Sequence, residues 1–451
     1  MSITSDEINY LIYRYLVESG FNHTSFAFQY ETAIHTLDIK GKNLKPGKLI
    51  QLLQKGLLFS QVESHINDDG SEKKCIAPYH VLEEHTCQIK EKKKKRKKEN
   101  KELTSESVKV LDGHRSEVFV CDWNMHHPLL ASGSGDGFAR IWSVPNDLTE
   151  DVPFVELAHG NGPDSSRDVT TVCWSPNGNY LATGSYDGLA RIWSKTGELK
   201  NTLEKHNGPI FNVKWNKTGD LLASVGVDKS AIVWDVRTGD ARQQFNFHTG
   251  ATLDIDWKDD TTFATSSADR DIYVCQLGSL EPLKQFAGHR DEINCIRWSP
   301  NGQLLASCSD DHTAKIWDMN EDSPLFDFTK HEKEIYTTSW CPPDKSDPQK
   351  LWLATASFDG SVRIWDINNG DCIYVLQEHS QAVYTVAFSP DCQFVASGSF
   401  DKSVIIYSLK DGSMVQKYGG DGGVFEVAYN ATGNKLAACY SDTKVVIIRT
   451  D

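Results

Sequence analysis

From about residue 107 onward, apolar and polar positions alternate in short runs, which is the period of a β-strand. LLASGSGDGFARIW (129–142) alternates, breaks at glycine-rich text and alternates again, as two strands joined by a tight turn would. WSPNG and FSPDC read as further tight turns between neighbouring strands. The N-terminal residues follow a different period. Ile8, Leu11, Ile12, Tyr15 and Leu16 fall at i, i+3, i+4, i+7 and i+8, one face of a helix. Thr4 with Glu7 predicts a capping box, and Gly20 suits the helix end. A second helix is expected after Asn22, with Phe26, Ala27 and Tyr30 on one side. A third stripe, Leu49, Ile50, Leu53 and Leu57, follows Pro46 near a helix start.

The strand-like text repeats. Histidines recur at His114, His159, His206, His248, His289, His331 and His379, and Asp421 stands at the eighth place. An aspartate follows each by 21 to 28 residues: Asp136, Asp187, Asp228, Asp269, Asp311, Asp359, Asp401 and Asp442. Four residues before each aspartate stands Ser132, Thr183, Ser224, Thr265, Ser307, Thr355, Ser397 or Ala438. Six residues after it comes Trp142, Trp193, Trp234, Cys275, Trp317, Trp365, Tyr407 or Ile448. Four linked positions recurring over eight units define a repeat of 41 to 51 residues. A four-stranded unit cannot bury both faces alone, whereas eight arranged radially bury each face against a neighbour. The pattern resembles WD-repeat β-propellers over residues 107–451, so the expected fold is mainly β, an eight-bladed propeller with a small all-α N-terminal module. The strand VKVL (108–111) should complete the last blade and close the ring.

Five units carry the full set: His114, Ser132, Asp136, Trp142; His159, Thr183, Asp187, Trp193; His206, Ser224, Asp228, Trp234; His289, Ser307, Asp311, Trp317; and His331, Thr355, Asp359, Trp365. The types are those of a serine-protease triad, but a catalytic site is needed once and this set recurs five times. The resemblance implies a buried hydrogen-bond chain tying the strands of one blade, with the indole mainly packing. Blades 4, 7 and 8, which depart from the set, should be less well tied. Nothing unique and polar outside the repeat points to an enzyme, and no cofactor is expected.

The resemblance also places the loops entering each blade, and those between its second and third strands, on one rim. Tyr186, Asp310, Phe358 and Phe400 precede their aspartates there. Phe119, Phe211, Tyr336, Tyr384 and Phe425 begin innermost strands, with Glu117, Asp168, Glu292 and Glu334 nearby. An aromatic, acid-edged mouth suits a peptide anchored by an apolar or Arg/Lys side chain. The plainer alternative is that several of these rings only plug the axis. Two loops are stretched, NGPDSS (161–166) and PPDKSDPQK (342–350).

Charge is unevenly placed. Residues 1–105 hold 17 Lys+Arg and 14 Asp+Glu, and residues 106–451 hold 30 and 48. A body this acidic disfavours direct binding of nucleic acid. Residues 90–101 carry nine Lys/Arg in twelve, and Lys92, Lys93, Lys94, Lys95, Arg96, Lys97 and Lys98 read as a nuclear localisation signal in an extended linker. No apolar run is long enough for a membrane span and the N-terminus lacks the pattern of a signal peptide. Eleven scattered cysteines without a C-x-x-C pair are expected to be small buried thiols in a reducing compartment.

EINYLIYRYLVESGF followed by SFAFQYET resembles the LisH motif, and PGKLIQLLQKGLLF (46–59) resembles an F-box-like segment. The whole order is similar to the transducin β-like family: LisH over 1–35, F-box-like helices over 36–80, a basic linker over 81–105 and the propeller over 106–451. Membership implies a nuclear scaffold of a histone-deacetylase corepressor complex. It also implies homo-oligomerisation through the N-terminal module, whose small size favours dimerisation over a solitary fold. The implied partners are a corepressor of the nuclear-receptor corepressor type, a class I histone deacetylase, histone tails and transcription factors, with ubiquitin-dependent exchange of corepressor. The short, lysine-rich linker departs from the family pattern. The rival class is the substrate receptor of a ubiquitin ligase.

Overall fold

The computed structural model describes residues 4–19, 21–32, 34, 48–50, 52–53, 55, 107–160, 167–343 and 350–450. The basic run, most of the F-box-like segment, the insertion 161–166 and most of 342–350 lie outside them. The chain divides into two compact units, Met1–Lys98 and Glu99–Asp451.

In the first unit, α1 spans Ser5–Glu18 and α2 spans Asn22–Glu31. The Thr4 hydroxyl accepts the Glu7 N–H and the Glu7 carboxylate accepts the Thr4 N–H, a reciprocal cap on two orphan donors. Leu11 is buried on the predicted stripe, Ile12 and Leu16 are half-buried, and Ile8 and Tyr15 stay exposed.

The second unit is eight four-stranded antiparallel sheets. In blade 1 the strands, from the axis outward, are Val118–Trp123, Leu129–Ser134, Phe138–Ser143 and Phe154–Ala158. The middle strands are buried on both sides, because each sheet is sandwiched between two others. Blade 8 takes its outer strand from the start of the domain: Val108–Leu111 pairs with Val445–Arg449 in the register Val108↔Ile448 to Leu111↔Val445. The seam is stitched further by Lys435 Nζ to the Pro145 carbonyl at 2.7 Å and Arg449 Nη2 to the Asn146 carbonyl at 2.8 Å.

Two regularities place the functional surface. Each innermost strand slips register after its first residue, so its second residue is the extra one of a β-bulge. Phe119, Phe211, Tyr336, Tyr384 and Phe425 all occupy that position, where a bulge re-aims a side chain. Each innermost strand also ends in an aromatic residue, and five of the tryptophans donate Nε1–H to a carbonyl of the preceding blade. These are Trp123 to Ala428, Trp174 to Asp122, Trp215 to Cys173, Trp257 to Lys214 and Trp340 to Arg297. The sixth, Trp298, has a buried Nε1–H with no acceptor.

Two expectations need correction. Cys341 and Cys392 form a disulfide between blades 6 and 7, with Cα atoms 6.0 Å apart, so the thiols are not all free. The blade 7 turn brings Cys392 against the residue that follows the inner tryptophan of blade 6, a contact that sequence separation conceals. Nor is blade 8 simply loose. Tyr440 fills the space that a repeat tryptophan fills elsewhere: a Cβ on Gly420 would meet its ring at 2.4 Å, as one on Gly113 would meet Trp142. Lys444 adds ion pairs to Asp421 and Asp442 at 3.3 and 3.5 Å.

Candidate functional site

The repeated polar sets form directed chains. In blade 1 the Trp142 indole donates to Ser132 Oγ at 2.8 Å, Ser132 Oγ lies 2.7 Å from His114 Nε2, and His114 Nδ1 lies 3.0 Å from Asp136. Because Ser132 receives the indole proton, its own hydrogen goes to Nε2, which leaves Nδ1–H to donate to the carboxylate. The same chain runs from Trp234 through Ser224 and His206 to Asp228. It runs from Trp317 through Ser307 and His289 to Asp311, and from Trp365 through Thr355 and His331 to Asp359. Burial pushes the Asp136 carboxyl up, but His114 and the N–H groups of Arg115 and Phe138 outweigh this and hold it well below the usual range. Ser132, Ser224 and Ser307 are wholly buried, and the indole occupies the side from which a substrate carbonyl would approach. These sets therefore fasten strands.

Blade 2 differs. Trp193 and His159 both bond Thr183 Oγ1, at 3.0 and 2.7 Å, but His159 Nδ1 turns to the Leu157 carbonyl at 3.1 Å. Asp187 is instead held by Arg191 at 2.8 Å. The four-residue chain expected there is thus three residues long. Blade 4 keeps His248, Thr265 and Asp269 bonded despite Cys275 in the tryptophan place, and packs Phe245, Phe263 and Tyr273 around it.

On one rim, the residue before each aspartate donates its N–H to the carbonyl preceding the innermost strand: Tyr186 to Asp168, Asp310 to Glu292, Phe358 to Glu334. The same bond joins Gly135 to Glu117 and Phe400 to Ala382. This geometry gathers six of the predicted rings into one arc across blades 6, 7, 8 and 1. Tyr384 is its hub, with ring centroids 5.2 Å from Tyr336, 5.0 Å from Phe358, 5.8 Å from Phe400 and 5.9 Å from Phe425. Phe119 continues it, 5.6 Å from Phe425. The Phe400 ring packs against Gly423, where a Cβ would meet it at 2.8 Å. Tyr336 and Phe400 are each 46% exposed and the other four rings belong to half-buried residues, so the arc reaches solvent. Glu334 and Glu292 lie in the loops toward one end and Glu117 toward the other. Among the described residues, Tyr186 and Phe211 have no ring neighbour within this arc.

Sequence reasoning missed the charges below the mouth. Asp122, Lys214, Asp256 and Arg297 each stand just before an inner tryptophan, the same phase of four repeats, and that spacing was the available signal. Arg297 Nη1 bonds Asp254 Oδ2 at 2.5 Å, and Asp254 also accepts from Asn212 and from the Ile296 N–H. Burial pushes the Asp122 carboxyl up to about 6 and that of Glu426 up to about 7. Among the described residues no His/Cys/Asp/Glu group is arranged to hold a metal ion.

The WD domain, G-beta repeat family matches residues 105–143, 156–194, 197–235, 280–318, 322–366 and 370–408. It passes over blades 4 and 8, the two without an aromatic residue in the tryptophan place. The LisH family matches residues 6–32. The F-box-like/WD repeat-containing protein TBL1X of Mus musculus is 41% identical, with 99% of each chain covered. TBL1Y of Homo sapiens is 42% identical, with 99% of this chain and 100% of that one covered. The crystal structure of the C-terminal WD40 domain of Sif2 superposes with a TM-score of 0.67 at 27% identity, covering 76% of this chain and 99% of that domain. A LisH hairpin, an eight-bladed WD-repeat ring and likeness along almost the whole length are thus joined in one chain, a WD-repeat regulatory scaffold that belongs to the transducin β-like family.

Proposed function

We propose that this protein is a non-enzymatic nuclear scaffold subunit of a histone-deacetylase corepressor complex. The N-terminal module oligomerises and binds a corepressor of the nuclear-receptor corepressor type. The propeller holds a basic peptide, such as a histone tail or a transcription-factor segment, and Lys92 to Lys98 direct import. Recruitment of ubiquitin machinery for corepressor exchange is part of the same reading. The observation that carries it is the ring arc around Tyr384 with Glu334, Glu292 and Glu117 in the flanking loops. A Lys or Arg side chain on those rings meets π faces and carboxylates together, each cation–π contact adding about 0.5–2 kcal/mol. Electrostatic attraction speeds encounter and weakens with salt.

Affinity purification with mass spectrometry tests the assembly: deacetylase and corepressor chains support it, and a cullin with its adaptor supports the ligase receptor instead. Titration of histone-like basic peptides tests the site. Tyr384→Ala and Glu292→Lys are expected to weaken binding while the protein stays folded. Equal affinity for all three proteins, or no binding at low salt, leaves the rings as axial packing.

A further inference from the structure

Near the axis, hydrogen bonds link neighbouring blades, and one seam lacks them. Five seams carry the indole-to-carbonyl bond already described. At the seam of blades 4 and 5 the Trp298 N–H donates to Asp256 Oδ2 at 2.7 Å, and at that of blades 7 and 8 the Val427 N–H donates to Thr385 Oγ1 at 3.2 Å. Between blades 6 and 7, among the described residues, no hydrogen bond joins the innermost strands Ile335–Trp340 and Val383–Phe388. Phe388 stands in the indole place there and has no N–H to give. Farther out, Tyr374 Oη donates to the Leu409 carbonyl at 3.2 Å and Lys350 Nζ to the Cys392 carbonyl at 3.4 Å. The Cys341–Cys392 disulfide lies at this same seam.

Both cysteines replace another residue type at a fixed phase of the repeat. The residue after each innermost strand is Asn or Ser in six blades: Asn124, Ser175, Asn216, Ser299, Ser389 and Asn430. In each it accepts a backbone N–H of its own turn. Cys341 stands there in blade 6. Three residues on, the backbone is left-handed, at Gly178, Gly219, Gly302 and Gly433, and Cys392 takes that place in blade 7 at φ 55°. A Cβ is costly in this region, so the turn itself gives no reason for a cysteine. In blades 1 and 2 the same two positions meet across the seam, where Asn124 Nδ2 donates to the Gly178 carbonyl at 2.8 Å. Blades 6 and 7 thus change both partners of one contact, at the seam whose innermost strands share no hydrogen bond.

We propose that Cys341 and Cys392 are a reversible redox clasp on the seam of blades 6 and 7, closed and opened by a small thiol–disulfide couple such as glutathione. The clasped strands begin, at their other end, with Tyr336 and Tyr384, whose ring centroids are 5.2 Å apart, so the clasp braces the hub of the ring arc. Both half-cystines are buried, but the Cys392 turn lies at the surface, with Pro390, Asp391 and Gln393 exposed, and its opening admits the thiol. To close the clasp, the Cys392 thiolate, favoured by the Lys350 ammonium at its own carbonyl, attacks one sulfur of glutathione disulfide and expels one glutathione thiolate. The Cys341 thiolate then attacks the Cys392 sulfur and expels the second. Two protein thiols are oxidised, one glutathione disulfide is reduced to two thiols, and the two protein protons pass to the glutathione thiolates. Reduced glutathione reverses both steps. The clasp acts on the seam whether or not the mouth holds a peptide.

The full chain, equilibrated over a series of ratios of reduced to oxidised glutathione, provides the test. Differential alkylation with mass spectrometry reads the state of Cys341 and Cys392, and hydrogen exchange reads the strands. The pair should pass reversibly between disulfide and dithiol in the native protein. Exchange in residues 335–341 and 383–392 should become about tenfold or more faster in the dithiol form, with Val118–Trp123 unchanged. Cys341→Ser should show the fast exchange at every ratio. Cys341→Asn with Cys392→Gly rebuilds the contact of blades 1 and 2 and should exchange slowly at every ratio. A pair that stays disulfide, or stays dithiol, at all ratios overturns the proposal. Equal exchange in the two states, slow exchange in Cys341→Ser, or a glutathione dependence that persists in the double variant also overturns it.

Discussion

Asp187 gives its carboxylate to Arg191, at 2.8 Å, and not to His159. Blades 1 and 6 carry the same three residue types and pair them differently. In blade 1 the equivalent Arg140 bonds Glu156 at 2.7 Å and Asp136 at 3.1 Å, and Asp136 still bonds His114; in blade 6 the equivalent Arg363 faces Val375 and Asp359 still bonds His331. In blade 2 Arg191 faces Thr202, which offers no charge, and the guanidinium takes Asp187.

That exchange makes His159 a pH-sensitive point. Burial first, and then the charge of Arg191, bring its imidazole down to about 4. An unfolded histidine titrates near ~6.5, so between these values protons bind the unfolded chain more tightly. The contribution of His159 is full above about pH 6.5 and is lost as pH falls toward 4, roughly 3 kcal/mol in all. Urea midpoints across this range should fall less steeply in His159→Gln than in the parent, from a lower starting stability. Equal slopes would show that His159 is protonated without cost.

The eight units and the closing strand were legible because each rests on a residue type at a fixed phase of the repeat, whereas phase alone did not select the rings of the arc, since Phe211 shares it and stands outside. Phe119, Tyr336, Tyr384 and Phe425 share one phase, and the bulge acts on that phase in every blade. Exchange of partners was not legible. Whether Asp187 meets histidine or arginine is not set by residue type, since blades 1, 2 and 6 all carry the histidine, the aspartate and an arginine four residues beyond it. The Cys341–Cys392 contact joins the residue after a blade 6 strand to a turn of blade 7, and Tyr440 replaces an indole from a position outside the repeated set.

The inner tryptophans provide an internal comparison. Trp215 donates to the Cys173 carbonyl at 2.9 Å, whereas Trp298 Nε1–H is buried without an acceptor. Trp215→Phe loses a hydrogen bond and strands a carbonyl, so it should cost about 1–2 kcal/mol more than Trp298→Phe. Chemical denaturation of the two variants measures the difference. Equal costs would mean that both indoles act only by packing.

Tyr440 separates filling from bonding in the same way. Its hydroxyl is buried with no hydrogen-bond partner, while its ring fills the blade 8 interior. Tyr440→Phe is expected to be neutral or stabilising, because the orphan polar group is removed. Tyr440→Ala opens a cavity beside Gly420 and should cost about 3–5 kcal/mol. A destabilised Tyr440→Phe would reveal a bond to the hydroxyl, and thermal melts of the pair distinguish the cases.

The N-terminal hairpin leaves more apolar surface bare than two short helices can hide. On α1, Ile8 and Tyr15 are exposed, and Phe21 and Phe26 at the start of the second helix are 53% and 62% exposed. Leu11 is the one buried residue of the α1 stripe. Burying an aromatic side chain is worth about 1.5–3 kcal/mol, so a second hairpin placed on this face gains from each exposed ring. The Arg14–Glu18 pair lies along the same helix and is too exposed to contribute much. Light scattering on the full chain should therefore give a multiple of 50.5 kDa. Ile8→Asp with Phe26→Asp should reduce it to the single-chain mass, because two buried carboxylates cost more than the lost contacts return. The propeller's melting temperature should not change, since its ring closes within one chain through Val108–Leu111. A single-chain mass for the parent would show that the stripe is covered by the chain's own residues, and an unaltered multiple in the variant would place the association elsewhere.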